Sequence, residues 1–518
     1  MKNFAEIALN EYNDEKNIIH QGGVKGQNFW NISSSQFMYV PAFQFPYIPS
    51  AKCYEFTATD SNGKTHSFTA EKPTAPLTPI WKDIAVGMVE LKIEAIHRIN
   101  GKRYICGART FYKSAPFPGR EALPKRACSY KECAIKAFEY AYNSPSSQYW
   151  LNHAMPDPDY YYNVYPSKTL GSLINAMIAY AELEPKTAKN ALKIATNAAD
   201  YLLSITYGED TAVNGLPPTY SLANLNEEIV KKNAPAAFER INKVMIIYPA
   251  SVGSAYLKLE KATGNKKYFE AAQKIAEYFK QNVLPNGSWY LLFSKENNKP
   301  DNETYCARFK ILDFLDDFYK RTGDECFKTL KENYFNYISK TRYETFDWEA
   351  QFEDVPLTSN FSNLSHYDAS GYINYMKNNL LADDMGEKAK EIMRFIEDQF
   401  VVWGEFAPWS DLFKEGESFW YSPAAMEQYK WYLPIDSSTA DVVKAFLNTY
   451  KLTGDELLLE KAFALGDSIT RRQNPKTGYI PTHWISKNCS EIFYNFWMNC
   501  HINSAFTMIE LAKQNGEI

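Results

Sequence analysis

From residue 120 onward, the chain alternates between short glycine turns and long loops, and this alternation limits its possible folds more than any other feature. Segments with a 3.6-residue apolar period predict helices that begin near residues 128, 168, 186, 248, 266, 303, 324, 366, 386, 437, 455 and 495. Five connections between them are short, as in Thr263-Gly264-Asn265, where Gly can end one helix and Asn can cap the next. The other six connections are long and span residues 144–167, 206–247, 284–302, 341–365, 401–436 and 473–494.

A strict alternation of connection lengths predicts where the loops lie. Short turns join antiparallel neighbours, so all the short turns should lie at one end of the helical region and all the long loops at the other. Six inner helices would then begin at the end with the long loops, and their N-termini would line one cavity. Because loops of this length in a compact domain are usually functional, we expect the functional site there.

The N-terminal region has a different period. Between residues 36 and 115, alternating apolar and polar runs flank two strong hairpin turns, Asn62-Gly63 and Asn100-Gly101. Short strands with such turns predict a small antiparallel β-sandwich. We therefore expect two domains, a sandwich over residues 1–119 and a helical domain over residues 120–518.

The helical pattern over residues 120–518 resembles the (α/α)6 toroid shared by many glycoside hydrolases, polysaccharide lyases and uronyl epimerases. The stretch from Phe43 to Gly119 is similar to the fibronectin-III-like sandwiches attached in front of such enzymes, in its runs FQFPYIPSAKCYEF, IWKDIAVGMVELKIEA and FYKSAPFPG. These resemblances imply a mainly α fold, a toroid of twelve helices preceded by a small antiparallel β-sandwich. They also imply an enzyme that acts on an oligosaccharide or polysaccharide.

Charge and composition exclude several other partners. The 56 Lys and Arg against 61 Asp and Glu give a net charge of −5, which provides no basic surface for nucleic acid. No apolar run has the length of a membrane span or a signal peptide, so we expect a cytoplasmic protein, or a secreted or periplasmic one if a leader has been removed. The eight Cys are scattered without metal-site spacing and predict mostly buried free thiols, with no metal and no cofactor.

Aromatic residues are concentrated in the long loops. Such rings can stack on the faces of sugars, or they can staple the loops to the core. Two of the loops, LPNGSWYL at 284–291 and NPKTGYIPTHW at 474–484, are similar to glycine-aromatic turns that project side chains toward the sugar in toroidal glycan enzymes. That resemblance implies that Trp289, Tyr290, His483 and Trp484 bind substrate.

Carboxyl groups beside these rings are the candidates for catalysis. Glycoside hydrolysis usually needs two carboxyl groups, and packing against a ring raises the pKa of a carboxyl, which suits a general acid. Glu405, between Trp403 and Trp409, fits this description best, and Asp347, beside Trp348, is the predicted partner. Trp348 and Trp409 are predicted to bind the sugar. The alternative for each acid is a solvated or loop-capping role.

The first hypothesis is therefore a glycoside hydrolase that cleaves an oligosaccharide, which could contain uronic acid. The second is a lyase or C5-epimerase acting on a uronic acid. It needs a base such as Tyr or His and a group that neutralises the substrate carboxylate. Candidates are His366 and Tyr367 at the start of an inner helix, His483 in a long loop, and Arg308, which could form a fork to a carboxylate or an ion pair within the protein. A third hypothesis is a glycan-binding protein without catalysis.

Three further features have structural interpretations. Asp313, Asp316 and Asp317 form an aspartate-rich motif, but the surrounding ILDFLDDFYKR is an ordinary amphipathic helix without a second metal motif. His501, one turn after Trp497, could face the cavity or be a core histidine with its hydrogen bonds satisfied, and the second interpretation is favoured. The segment 224–243 is predicted to be helical, as a brace or as a lid over the cavity.

Overall fold

A computed structural model describes residues 2–14, 16–17, 19–20, 28–352, 360–379, 385–404, 421–485 and 496–518. The N-terminal region contains two sheets and two helices: α1 (Phe4–Asn13), β1 (Gln36–Phe37), β2 (Ala42–Gln44), β3 (Ala51–Thr59), β4 (Thr65–Ala70), β5 (Thr74–Pro76), α2 (Thr78–Trp81), β6 (Gly87–His97) and β7 (Arg103–Lys113). Helix α1 was not predicted. Asn3 caps it by accepting the N–H of Glu6, and it packs against a helix of the toroid.

The larger sheet has the strand order β1-β7-β6-β3-β4, and β2 pairs with β5 in a separate two-stranded sheet. Both predicted hairpins are confirmed, β3–β4 at Gly63 and β6–β7 at Gly101, each with its glycine in the left-handed region at φ +76° and +67°. Strand β1, however, pairs parallel with β7, whereas a purely antiparallel arrangement was expected. The two sheets meet through Phe43 of β2, whose ring contacts Phe37 and Phe111.

Helices dominate the rest of the chain. They are α3 (Tyr130–Asn143), α4 (Pro145–His153), α5 (Pro166–Leu183), α6 (Ala188–Ser204), α7 (Glu227–Asn233), α8 (Pro235–Phe238), α9 (Ile247–Thr263), α10 (Lys266–Gln281), α11 (Phe309–Thr322), α12 (Glu325–Ile338), α13 (Tyr367–Asn379), α14 (Met385–Phe400), α15 (Asp436–Thr453), α16 (Glu456–Arg472) and α17 (Met498–Gln514). Short strands lie in the loops: β8 (Lys243–Met245), β9 (Leu292–Ser294), β10 (Val401–Val402), β11 (Ala424–Gln428) and β12 (Trp431–Pro434).

Six of these helices form a closed inner ring in the order α5, α9, α11, α13, α15 and α17, in which each packs against the next and α17 returns to α5. Helices α6, α10, α12, α14, α16 and α3 each pack outside one member of this ring. Helix α10 shows why they do so. Its apolar stripe, predicted from the sequence, buries Tyr268, Ala272, Ile275, Ala276 and Phe279.

The short turns have the predicted chemistry. Gly264, Gly323 and Gly454 end α9, α11 and α15 in the left-handed region, at φ +71°, +71° and +72°. The residue after each glycine is Asn265, Asp324 or Asp455, and each accepts a backbone N–H at the start of the next helix. These turns fix each inner helix against its outer partner, and they place the N-termini of the inner helices at the opposite end.

The ring of helices closes where α17, the last inner helix, packs against α3, the first outer helix. His501 of α17 lies between them, with Nε2 2.7 Å from the carbonyl oxygen of Ala137 on α3 and Nδ1 accepting the N–H of Ile480 at 3.3 Å. The interpretation of His501 as a satisfied core histidine is confirmed. In the described part of the chain, no helix is both long and apolar enough to span a membrane.

The cysteines differ from the prediction in their burial. All seven that the structure describes are free thiols, but only Cys133 and Cys306 are buried. Cys326 is exposed and the others are half-buried. The expectation of mostly buried thiols is therefore wrong for this part of the chain. Cys489 lies outside the described residues.

Candidate active site

A cavity of about 1060 Å³ opens at the N-terminal ends of the inner helices. The first turns of all six inner helices line it, together with five of the six long loops, the loop 284–302 being the exception among the described residues. The prediction that the long loops and the inner-helix N-termini surround one cavity is confirmed for all six N-termini and for five of the six loops. The inner helices supply these side chains: Lys168, Ser172 and Asn175 from α5, Tyr248 and Ser251 from α9, Lys310 and Asp313 from α11, Asp368, Ser370 and Asn374 from α13, Ser437, Asp441 and Lys444 from α15, and Asn499, Cys500 and Asn503 from α17.

Asp313 is an acid whose carboxyl faces the cavity from the second turn of α11. The Asp313 side chain is accessible to solvent, and the walls of the cavity surround it. Partial loss of solvation within these walls, with the charges of Asp317 and Asp316, raises the pKa of Asp313 to about 7. A carboxyl with this pKa holds a proton for much of the time at neutral pH and can donate it to a substrate.

Asp441, on α15, is an acid held in the opposite protonation state. Its Oδ1 accepts hydrogen bonds from Lys444 Nζ at 2.8 Å and from Asn503 Nδ2 at 3.0 Å. Burial would raise the pKa of Asp441, but the charge and hydrogen bond of Lys444, helped by Asn503, hold it below its usual value. The carboxylate is therefore ionised and fixed through Oδ1, and no described residue donates to Oδ2.

Arg308 and Asp368 form a buried ion pair in the wall between α11 and α13, with Nη1 3.2 Å from Oδ2. The guanidinium also lies near the rings of Phe352 and Tyr367, at 5.6 and 5.8 Å from their centroids. The sequence left two roles open for Arg308, a fork to a substrate carboxylate or an ion pair within the protein. The structure shows the internal ion pair, and Arg308 also lines the cavity.

Aromatic side chains form the cavity wall at α17 and α5, which lies opposite the α11–α13 wall. Trp497 lies 4.0 Å from Tyr162 and 5.8 Å from Tyr165 between ring centroids, and Lys168 Nζ lies 4.2 Å from the Trp497 ring. Trp431 and His483 lie together at 6.3 Å in a neighbouring part of the lining. The cavity therefore combines charged and aromatic surfaces, as sugar-binding sites do.

Three of the predicted site residues line this cavity: Arg308, Tyr367 and His483. Tyr367 Oη lies 3.3 Å from the hydroxyls of Ser437 and Ser438, and burial raises its pKa well above the usual range. His366 precedes Tyr367 but lies behind it, fully buried and outside the cavity lining. Neither of its ring nitrogens has a hydrogen-bond partner among the described residues, and burial lowers its pKa to about 4.

Four predicted aromatic residues lie outside the cavity lining. Trp289, Trp348 and Trp484 are buried in the core, and Tyr290 is half-buried and stacks on a neighbouring tyrosine. Trp289 donates to the carbonyl of Phe279 and packs against Tyr334, so it fastens its loop to two outer helices. The prediction that these rings bind substrate is corrected by their positions.

Asp347 is likewise absent from the cavity lining. Its carboxylate accepts the N–H of Glu349 at 3.2 Å, and its carbonyl accepts from Arg342 Nη1 at 2.7 Å. These contacts match the loop-capping alternative, so Asp347 is replaced as a catalytic candidate. Glu405 and Trp409, the other predicted acid and its flanking ring, lie outside the described residues.

Sequence reasoning overlooked Asp441 and set Asp313 aside. Asp313 was grouped with Asp316 and Asp317, but these two point elsewhere: Asp316 pairs with Lys320 and Lys331, and Asp317 accepts from Ser254 at 2.8 Å. In the described residues no three potential ligands converge on a metal position. A signal was available, because polar residues within the first two turns of an inner helix should face the mouth of the toroid.

The segment 224–243 forms α7 and α8, and the turn between them, residues 233–236, contributes to the cavity wall. Asn226 caps α7, and Val230 and Ala237 are buried beneath the segment. The helical prediction is confirmed, and the segment serves at least as a brace that completes the wall.

No protein-family model matches the chain, and no curated protein sequence matches it. Among solved structures it is similar to a cellobiose 2-epimerase from Spirochaeta thermophila DSM 6192, with TM-score 0.50 and 11% identity over 74% of this chain and 97% of that one. It is equally similar to a D-mannose isomerase, with TM-score 0.50 and 12% identity over the same shares. A family 76 glycoside hydrolase from a bovine Bacteroides thetaiotaomicron strain gives 0.46 and 10% identity over 92% of this chain and 100% of that one. The chain therefore has the (α/α)6-toroid fold of these carbohydrate-active enzymes.

Proposed function

We propose that this protein is a carbohydrate-processing enzyme, and specifically a glycoside hydrolase in which Asp313 is the general acid and Asp441 is the second carboxylate. One observation carries the proposal: two carboxyl groups line the same cavity, and their surroundings displace their pKa values in opposite directions. Such a pair supplies a proton donor and an ionised carboxylate at the same pH, which is the requirement for acid/base catalysis.

The chemistry follows from these two states. Asp313 donates its proton to the glycosidic oxygen as the bond from that oxygen to the anomeric carbon breaks, so that the leaving sugar departs as an alcohol. Asp441 Oδ2 either takes a proton from the attacking water or attacks the anomeric carbon itself, after which water hydrolyses the glycosyl-enzyme. The anomeric configuration of the first product, followed by NMR, distinguishes the two routes.

Buried polar atoms without partners support a hydroxyl-rich ligand. In the described part of the wall these atoms are Asn175 Oδ1, Arg308 Nε, Ser370 Oγ and Asn499 Oδ1. Buried polar groups in proteins normally have partners, so a group of them around one cavity favours a ligand that both donates and accepts hydrogen bonds. A saccharide does this, and the ring of Trp497 offers an apolar surface beside it.

The lyase or epimerase alternative has less support from the geometry. Tyr367 would have to lose its proton to act as a base, but its raised pKa keeps it protonated. His366 lies outside the lining, which leaves His483 as the remaining predicted base in the cavity. A glycan-binding protein without catalysis would not need two cavity acids in opposite protonation states.

The test is a panel of uronic-acid and neutral oligosaccharides with products identified by mass spectrometry. We expect water to be added across a glycosidic bond, and we expect Asp313→Asn and Asp441→Asn to lower the rate at least about a hundredfold, as loss of a general acid or base does. Asp347→Asn is the control and is expected to retain activity, because Asp347 lies outside the cavity lining and its carboxylate accepts the N–H of Glu349.

Other outcomes would contradict the proposal. An unsaturated product that absorbs in the ultraviolet indicates a lyase, and solvent deuterium at C5 indicates an epimerase. Saccharide binding with unchanged substrate indicates a binding protein.

A further inference from the structure

Arg308 has an unusual set of contacts for a buried arginine. Its side chain is about nine-tenths buried, yet among the described residues only Asp368 hydrogen-bonds the guanidinium, through Nη1. Nε has no partner, and no described residue accepts from Nη2. The edge formed by Nε and Nη2 is therefore unoccupied in a residue that lines the cavity.

The guanidinium is also held in a fixed orientation. Asp368 fixes one end, and the rings of Phe352 and Tyr367 lie close to its central carbon. A fixed arginine loses little freedom when it binds a ligand, and two parallel N–H groups match the two oxygens of a carboxylate. A single sugar hydroxyl would satisfy only one of them.

A further donor lies in the neighbouring helix of the same wall. Ser370, on α13, is buried and lines the cavity, and within the described part of the chain its hydroxyl has no hydrogen-bond partner. It follows Asp368 by two residues at the start of the helix, where the helix dipole favours a negative charge. The α11–α13 wall thus has two donors without partners among the described residues, Arg308 Nε and the Ser370 hydroxyl.

The net charge of the described cavity lining also favours an anionic ligand. The described lining has five cationic side chains, Lys168, Arg308, Lys310, Lys430 and Lys444, and four acids, Asp313, Asp368, Glu427 and Asp441. Asp313 is only partly ionised near neutral pH. The lining is therefore slightly positive in a chain whose net charge is −5, and a cavity of that sign attracts anions.

We infer that the substrate is an acidic saccharide whose carboxylate binds the Nε–Nη2 edge of Arg308, with Ser370 as an additional donor. The inference rests on the proposed function and names the substrate class of that same site. Binding there places a uronic acid residue in the wall that also carries Asp313, on the same helix as Arg308.

The test compares short oligogalacturonides and oligoglucuronides with their carboxyl-reduced, neutral counterparts, by calorimetric binding and by product formation. We expect wild-type protein to prefer the acidic member of each pair by about tenfold or more, as a bidentate charged contact predicts. Arg308→Lys keeps the charge but removes the fork, so it should lose most of this preference, with a much larger loss of binding for the acidic member of each pair than for the neutral one.

A second variant separates loss of the carboxylate contact from misfolding, because removing Arg308 alone leaves Asp368 buried and unpaired. Arg308→Met combined with Asp368→Asn removes both charges together, and circular dichroism checks its fold. It should bind the acidic and neutral members equally.

The outcomes separate this inference from the proposed function. Equal use of acidic and neutral saccharides by the wild type overturns the inference and leaves the hydrolase intact. Preference for sugar phosphates or sulfates over uronates, tested with glucose 6-phosphate and glucose 6-sulfate, overturns the carboxylate assignment. Failure of every saccharide to bind or react overturns both.

Discussion

The hydroxyl of Ser34, in the N-terminal region, lies 2.6 Å from the hydroxyl of Tyr429, in the turn between β11 and β12. The same Tyr429 hydroxyl donates to Gln399 Oε1, and Gln399 Nε2 donates to the carbonyl of Gln36 at 2.9 Å. The residues beside Tyr429 in this hairpin, Glu427, Gln428, Lys430 and Trp431, line the cavity. The N-terminal region therefore supports one wall of the candidate active site.

Replacing Tyr429 tests this support. Tyr429→Phe removes a hydroxyl that joins two buried partners, and we expect a loss of about 1–3 kcal/mol in the free energy of unfolding together with weaker saccharide binding. Chemical denaturation and calorimetry measure the two effects. Tyr47→Phe is the control, because Tyr47 is largely exposed and should change neither quantity. Unchanged binding in a destabilised Tyr429→Phe variant would show that the N-terminal region does not position the hairpin.

The pH dependence of catalysis should be bell-shaped. Asp313 must be protonated and its pKa is about 7, so kcat/KM should fall as the pH rises through about 7. Asp441 must be ionised and its pKa lies below the usual value, so the acid limb should lie below the usual range of a carboxyl. Initial rates across the pH range measure both limbs. A profile that stays flat between pH 6 and pH 9 would remove Asp313 from the acid role.

Asp313 should also affect stability in a way that needs no substrate. Its folded-state pKa is raised from 3.8 to about 7, so the folded protein binds the proton more tightly than the unfolded chain does. The associated stability is present at acid pH and is lost as the pH rises through about 7. Thermal unfolding at pH 5 and pH 8 should therefore show a larger decrease for the wild type than for Asp313→Asn, with Asp347→Asn made for comparison.

The packing of the loop after α16 against α3, where the ring of helices closes, depends on a glycine. Gly478 has φ +81°, and a Cβ atom there would overlap the carbonyl oxygen of Lys136 on α3. Gly478→Ala should cost about 1–2 kcal/mol for the left-handed backbone and about 1–3 kcal/mol more for the overlap. Gly264→Ala is the matched control, since Gly264 has φ +71° but open space around it, so only the backbone contribution should remain. Equal losses in denaturant unfolding would show that the loop relaxes away from α3.

The elements that could be predicted from the sequence depend on short-range chemistry. Gly264 and Asn265 specify a helix end and a helix start within three residues, and the Asn62-Gly63 turn specifies a hairpin in the same way. Helix α1 was missed because residues 1–119 were assigned as a whole to a β-sandwich domain, although Asn3 and the run FAEIALNEYN carry a capped helix. In the site, Arg308, Tyr367 and His483 were identified, whereas the rings of Trp289 and Trp484 were assigned to the wrong environment.

The sequence by itself determined the order of helices and the sorting of short turns and long loops to opposite ends, because caps, glycine turns and apolar stripes act over a few residues. Only the tertiary structure decided which acids face the cavity. Asp313 lies near the mouth of the toroid, while Asp316 and Asp317, one turn deeper, meet Lys331 and Ser254 on neighbouring helices. The physical reason is that an inner helix has neighbours on most sides, so its own apolar pattern does not reveal where the packing ends and the cavity begins.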